Sequence, residues 1–280
     1  MASINLGEIA LRICQKRHLN FVGPVGEGSF KQTFHVVDSA NCALALKIHK
    51  AEDASPRSQR EIGAMQRCNH KNIAKLLAVE TFTIDKQRYL TLTEEYLPGG
   101  TLTSKGRLSV ECCLEIGVEL IDALVHLAAL KLVHRDIKPD NILFRADGTT
   151  PVLTDFGIVR DLNDSSITPT WVLRGPGTPL FSPAEQLNNQ KHLIDWRTDQ
   201  FALGVSLAMS LFEQHPFRDP GVFDPELVQR LASRQGATDW FVREATALGL
   251  KPLVRMLSAW PVDRFRKPAE LAIAWGKQKG

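Results

Sequence analysis

Asp136 and Lys138 stand two residues apart, Asn141 follows in the same run, and Asp155 lies 14 residues beyond Asn141. An aspartate can accept the proton of an attacking hydroxyl. A lysine ammonium beside it can neutralise a migrating phosphoryl group. The amide oxygen of Asn141 and the carboxylate of Asp155 are hard oxygen donors, the kind that Mg²⁺ takes in its octahedral shell. Together the four side chains have the types that phosphoryl transfer from ATP needs. They belong to two runs, His134-Arg135-Asp136-Ile137-Lys138-Pro139-Asp140-Asn141 and Asp155-Phe156-Gly157. The short run alone is common by chance and usually marks a turn; the long one is not.

These residues need a scaffold, and the chain alternates in texture. The first third predicts strands at 21–25, 33–37, 43–48 and 89–94, with a glycine turn after the first and one helix over 58–67. Around Pro98-Gly99-Gly100 the pattern changes. Apolar residues then recur at helical spacing over 110–130, 198–212 and 248–260. The expected architecture is a small sheet lobe followed by a larger helical lobe, with ATP at the seam.

The two runs closely resemble the catalytic loop and the magnesium loop of the protein kinase family. The resemblance implies an α+β, bilobal fold with a small antiparallel-sheet N-lobe holding one helix, and a larger helical C-lobe. It extends over roughly 20–275 and predicts a single kinase domain over 1–280, divided at a hinge over 95–98 into an N-lobe over 1–97 and a C-lobe over 98–280.

On the nucleotide side, Gly26-Glu27-Gly28-Ser29-Phe30 matches the family's glycine loop, whose backbone N–H groups fold over phosphates. Gly26 and Gly28 are its glycines. The sequence departs from the family with Lys31 in place of the third glycine and Thr33 in place of the valine that roofs adenine. Lys31 either crowds the loop or adds a phosphate contact. Leu44-Ala45-Leu46-Lys47 resembles the strand-borne lysine motif, so Lys47 is expected on the α/β-phosphates and Ala45 at adenine. Glu61, followed by His70-Lys71-Asn72-Ile73, copies the helix that supplies the lysine's partner, with Glu52 as runner-up. Glu95-Tyr96-Leu97-Pro98 resembles the hinge, where the carbonyl of Glu95 and the amide of Leu97 would bond the adenine edge. Leu143 would close the adenine floor. This alignment puts Glu94 at the position guarding the back pocket, usually apolar or Thr. Either Glu94 pairs with Lys47 or another cation, or the register slips by one and Thr93 takes the place.

On the substrate side, Arg135 before Asp136 marks the class whose activation segment is ordered by phosphorylation. Thr168 and Thr170 fall where bacterial relatives carry autophosphorylation sites, and Asp161 and Asp164 are constitutive alternatives. Gly177-Thr178-Pro179 resembles the substrate-docking turn, with Thr178 bonding Asp136 and Lys138. Glu185 and Arg264 match the family's structural ion pair, and Asp199 is expected to bond the backbone at His134 and Arg135. Lys138 favours serine and threonine as acceptors over tyrosine.

The implied activity is a Ser/Thr protein kinase using ATP and Mg²⁺, with Mn²⁺ as an alternative, on protein substrates. A pseudokinase would need a broken catalytic group, and Lys47, Glu61, Asp136, Asn141 and Asp155 are all present. A small-molecule kinase would generally lack the docking turn and the Glu185–Arg264 pair.

Composition sets outer bounds. The 280 residues, 44% hydrophobic, suffice for a sizeable core, and a net charge of +3 argues against nucleic-acid or membrane partners. Residues 1–6 lack the pattern of a signal peptide, and stretches such as 201–212 are too short to span a bilayer. The expected compartment is the cytoplasm. Cys14, Cys42, Cys68, Cys112 and Cys113 are odd in number and form no C-x-x-C, which argues against disulfides and zinc. Cys112 and Cys113 read as core or half-buried residues.

Overall fold

The computed structural model describes residues 5–27, 31–49, 62–63, 66–155, 160–161 and 178–278. The chain divides into two compact units, Met1–Asn69 with Ala74–Leu97, and His70–Ile73 with Pro98–Gly280. The first is a sheet unit and the second is mainly helical. Among the described residues, no helix is long and apolar enough to cross a membrane.

Helix α1, Leu6–Arg17, stands ahead of the first expected strand. It corrects the expectation of one helix in this unit. Of the helix expected over 58–67, residues 62–63 and 66–67 are helical, and the rest, with Glu61, lie outside the described residues. The local signals for α1 are present in the sequence. Asn5 caps it by accepting from the Gly7 amide at 3.0 Å. Leu6, Ile9, Ala10 and Ile13 recur at helical spacing and are all buried. The chain leaves the helix through His18 at φ 54°.

Five antiparallel strands follow: β1 (Asn20–Glu27), β2 (Lys31–Val37), β3 (Ala43–His49), β4 (Leu76–Ile84) and β5 (Gln87–Glu95), in the order β1-β2-β3-β5-β4. Successive side chains alternate between faces. Phe34, Val36, Leu46 and Ile48 all join Leu6, Ile9 and Ile13 of α1 in one core. Each such buried side chain stabilises the unit by roughly 1.5–3 kcal/mol. The opposite face therefore carries Thr33, Ala45 and Lys47. Strand β4 was not among the expected strands. It is an edge strand with only Ile84 buried, so its sequence shows no clean alternation.

The second unit is built on α2 (Val110–Ala129), capped by Ser109, whose hydroxyl accepts from the Cys112 amide at 3.1 Å. Short strands β6 (Leu132–Val133), β7 (Ile142–Phe144) and β8 (Pro151–Leu153) follow, and β9 (Arg160–Asp161) pairs with β6. Then come α3 (Ala184–Leu187), α4 (Trp196–Phe212), α5 (Asp224–Ala232), α6 (Asp239–Ala247), α7 (Lys251–Met256) and α8 (Pro268–Gly276). Helix α4 is buried on nearly every side, as a core helix must be. The helical stretch expected over 248–260 shrinks to α7, because Gly249 turns the chain at φ 78° just before it. Cys113 is buried, but Cys112 is exposed, which corrects its reading as a core or half-buried residue. None of the five cysteines, all among the described residues, forms a disulfide.

Gly117 on α2 is required by close approach. A Cβ there would lie 2.4 Å from the ring of Trp275 on α8, a residue only 1% exposed whose Nε1 donates to the Leu114 carbonyl at 3.0 Å. Gly117→Ala should therefore destabilise the fold by about 1–3 kcal/mol, although alanine is the better helix former. Chemical denaturation of the two proteins checks this; an alanine variant as stable as wild type would show that the indole can shift.

Candidate functional site

In the sheet unit, the register between β3 and β5 places Ala45 opposite Glu94 and Lys47 opposite Leu92. Cross-strand partners share a face, so Ala45, Lys47 and Glu94 lie together, and Thr33, opposite Lys47 on β2, joins them. Lys47 Nζ lies 2.5 Å from Glu94 Oε2, and the two residues are only 5% and 2% exposed. Thr93 points the other way and accepts from Arg17 of α1 at 2.7 Å. The register thus decides between the open alternatives: Glu94, not Thr93, occupies the Lys47 face. Glu95 pairs with Lys75 twice, its amide donating to the Lys75 carbonyl at 3.1 Å and its carboxylate accepting from the Lys75 amide at 2.9 Å. The ring of Tyr96 stacks on His35 with centroids 3.9 Å apart, which fixes the chain just before buried Leu97. Gly26 pairs with Thr33, one step before the β1–β2 ladder ends at Glu27 and Gln32. Gly28 and Glu61 lie outside the described residues, as does the side chain of Lys31.

The helical unit gathers the other four chemistry-bearing residues. The hairpin of β7 and β8 pairs Ile142 with Leu153, so Asn141 and Thr154 flank its open end. The Thr154 amide donates to the Asn141 carbonyl at 3.0 Å, and Asp155 follows at φ 64°. Aspartate tolerates this left-handed conformation better than most residues. Asn141 Nδ2 donates to the Asp136 carbonyl at 2.8 Å and to Asp136 Oδ2 at 2.9 Å. Both acceptors lie on the amide's nitrogen side, so its oxygen is turned the other way. Lys138 Nζ reaches the two Asp136 oxygens at 3.2 and 3.4 Å. Burial pushes the Asp136 carboxyl up, with the Asp155 charge adding to it, while Lys138 and Asn141 pull it down.

Several buried groups hold this loop in shape. Asp199 on α4 accepts from the amides of His134 at 2.7 Å and Arg135 at 2.8 Å, where Arg135 adopts φ 69°. Burial pushes the Asp199 carboxyl up to about 7, against the pull of those two amides and of the Arg135 cation. His134 Nδ1 accepts from the Asp136 amide at 3.3 Å, so Nε2 carries the proton and donates to the Thr154 carbonyl at 3.1 Å. One imidazole therefore spans the two loop segments that carry Asp136 and Asp155. Glu185 and Arg264 form an ion pair at 2.6 Å, both fully buried. The turn Thr178–Phe181 is tied down through Leu180, whose carbonyl accepts from His215 Nε2 at 2.8 Å. The side chain of Thr178 lies outside the described residues, as do Thr168 and Thr170. Leu143 is half-buried on β7, bridged to Thr101.

Sequence reasoning missed Gln186. Its Nε2 donates to the Arg135 carbonyl at 2.8 Å and to the Ser182 hydroxyl at 3.1 Å, linking the end of the substrate segment to the catalytic loop. The neighbouring Glu185 drew attention to this point in the chain, but nothing in the sequence says that position 186 faces position 135. The tautomer-setting role of His134 was also invisible, since it depends on backbone groups alone.

A sheet unit with a buried strand lysine and a helical unit with an Asp-Lys-Asn loop beside a second aspartate define the protein kinase class. The chain matches the family described as protein kinase domain over residues 19–256. It is 30% identical over 232 residues to a probable serine/threonine-protein kinase of Dictyostelium discoideum, covering 74% of this chain and 32% of that one. It is 32% identical over 207 residues to the human cAMP-dependent protein kinase catalytic subunit PRKX, covering 71% and 55%. A probable serine/threonine-protein kinase PknB of Bifidobacterium longum is 29% identical over 208 residues, covering 69% and 30%. The aligned part of this chain thus spans from under a third to just over half the length of these relatives. The chain belongs to the protein kinase family.

Proposed function

We propose that this chain is an ATP-dependent protein serine/threonine kinase, transferring the ATP γ-phosphoryl to serine or threonine hydroxyls of a protein substrate. The observation that carries the reading is the Asp136 carboxylate, partly buried and held by Lys138 and Asn141 in one fixed orientation. Such a carboxylate can align a hydroxyl and take its proton. Lys138, already beside it, screens the charge of the group being transferred. Lys47 is the cation for the α/β-phosphates, and Gly26, Gly28, Thr33, Ala45, Leu97 and Leu143, with the Glu95 carbonyl, are the nucleotide contacts. The relatives' designation as serine/threonine kinases supports the acceptor class. The reading includes one kinase domain over 1–280, a cytoplasmic setting where ATP is supplied, and autophosphorylation at Thr168 or Thr170.

The donor set fits a divalent metal. The Asn141 amide is oriented by its nitrogen, which turns its oxygen away from Asp136, and the Asp155 carboxylate lies near enough for its charge to act on Asp136. Asn141 and Asp155 would hold Mg²⁺, which neutralises charge on the β- and γ-phosphate oxygens when bound.

Incubating the protein with radiolabelled ATP, Mg²⁺ and a basic protein, followed by phosphoamino-acid separation, tests the reading. Phosphoserine or phosphothreonine is expected. Nucleotide binding with no transfer to any protein would leave a pseudokinase-type binding module instead. Asp155→Ala should lose both turnover and the Mg²⁺ dependence of nucleotide binding, followed by titration calorimetry. Unchanged Mg²⁺-dependent binding would remove Asp155 from the metal site.

A further inference from the structure

We propose that Glu94 is the positioning residue of Lys47, so that the nucleotide-binding lysine is anchored within the sheet itself. The inference rests on the kinase reading for the role of Lys47, but its geometry is independent of that reading. Lys47 and Glu94 sit on β3 and β5, whose backbones pair from Leu44↔Glu95 to His49↔Leu90. A contact between residues on two hydrogen-bonded strands has little freedom to open, because the ladder fixes both Cα atoms. The alternation of β5 leaves no choice of face: Thr93 is engaged by Arg17 of α1, and Glu94 must point to the Lys47 side.

The chemistry of the contact is that of an anchor. Both side chains are nearly inaccessible, at 7% and 2% exposure, with a nitrogen–oxygen distance of 2.5 Å. A pair desolvated to this degree gains little net stability over an apolar pair, while removing one partner alone is costly. Its use is to fix where the ammonium sits. The resemblance to the family assigned that role to Glu61, borne by the helix over 58–67. A partner on a neighbouring strand holds Lys47 independently of where a helix stands. The same carboxylate fills the back-pocket position with a charge, where the family usually has an apolar residue or Thr.

Two measurements on the purified full chain test this. The first is the steady-state KM for ATP and kcat. The second is acylation of Lys47 by acetic anhydride as a function of pH, followed by peptide mass spectrometry, which needs no turnover. Glu94→Gln keeps the shape and removes the charge. It should raise the ATP KM roughly tenfold, the scale of one charge-assisted hydrogen bond, with the KM for protein substrate unmoved. It should also shift the acylation profile to lower pH, since a buried ammonium without its carboxylate deprotonates more readily. Glu94→Asp retains the charge if the Gln variant folds poorly, and should keep an acylation profile near that of wild type. Glu61→Gln should move both quantities less than Glu94→Gln does. Wild-type values of both in Glu94→Gln, a lower ATP KM in that variant, or larger effects from Glu61→Gln would each overturn the proposal. A wild-type protein that transfers no phosphate would sink the kinase reading alone, because the acylation profiles would still report whether Glu94 holds Lys47.

Discussion

Asp136→Asn is expected to fold and to bind nucleotide as wild type does, yet to lose roughly 10²–10⁴-fold in turnover, the contribution of a positioned general base. The change is isosteric, and an asparagine oxygen can still accept from Asn141 Nδ2, now 2.9 Å from Asp136 Oδ2. What disappears is the carboxylate that Lys138 and Asn141 orient to take a proton from a hydroxyl. Lys138 stays in place but loses the carboxylate that it contacts at 3.2 Å. The pH profile adds a second reading. Burial and the charge of Asp155 hold the Asp136 carboxyl above the ordinary aspartate range. The base works in its charged form, so wild-type turnover should fall as pH drops through that raised value, higher than for an exposed aspartate. The Asn variant should lack this acid limb. Single-turnover rates across pH, with melting curves to confirm folding, check both. Transfer within a few-fold of wild type would remove Asp136 from the role.

Arg264→Ala should be the most destabilising single change in the helical unit, by about 3–5 kcal/mol. The guanidinium is fully buried, and its donors are fully engaged. It bonds both oxygens of Glu185, at 2.6 and 3.3 Å, and the carbonyls of Ser258 at 2.8 Å, Arg197 at 3.0 Å and Ala259 at 3.2 Å. Its central carbon also lies 4.7 Å from the centroid of the Phe201 ring. Truncation leaves the Glu185 carboxylate buried with a 3.3 Å hydrogen bond from the Thr198 hydroxyl, and strands three carbonyls. Arg264→Lys should fail nearly as badly, since one ammonium cannot supply a planar fork. Combining Glu185→Leu with Arg264→Met should recover part of the loss by removing the orphaned charge. Urea denaturation of the four proteins checks the series. An Arg264→Ala variant within 1 kcal/mol of wild type would mean that water replaces the guanidinium, and the pair would lose its structural role.

Much of the architecture was legible because its signals are local. The strands at 33–37 and 43–48 alternate, and the helices over 110–130 and 198–212 show helical periodicity, so both kinds of element appeared near their observed bounds. Helix α1 was equally readable, with a capping asparagine and an apolar face, but lies outside the region that the family resemblance covers. Strand β4 was not readable, because an edge strand buries little and needs no pattern. The segment over 248–260 misled because apolar residues at helical spacing say nothing about a glycine that turns the chain at its start.

Residue type and spacing by themselves determined the chemistry of this protein: a carboxylate, an ammonium, an amide and a second carboxylate, in an order that few unrelated sequences share. They could not determine partners, because a partner is chosen by where distant segments meet. Gln186 is 51 residues from Arg135, and Glu94 is 47 from Lys47. Glu94 and Thr93 were both able to stand at the position facing the Lys47 ammonium. The register of β3 against β5 placed Glu94 beside it, since a side-chain period of two leaves each residue one face, and a shift of one residue would have presented Thr93 instead. Tertiary structure made that choice through backbone hydrogen bonds, which every residue type can form and which no side-chain pattern records.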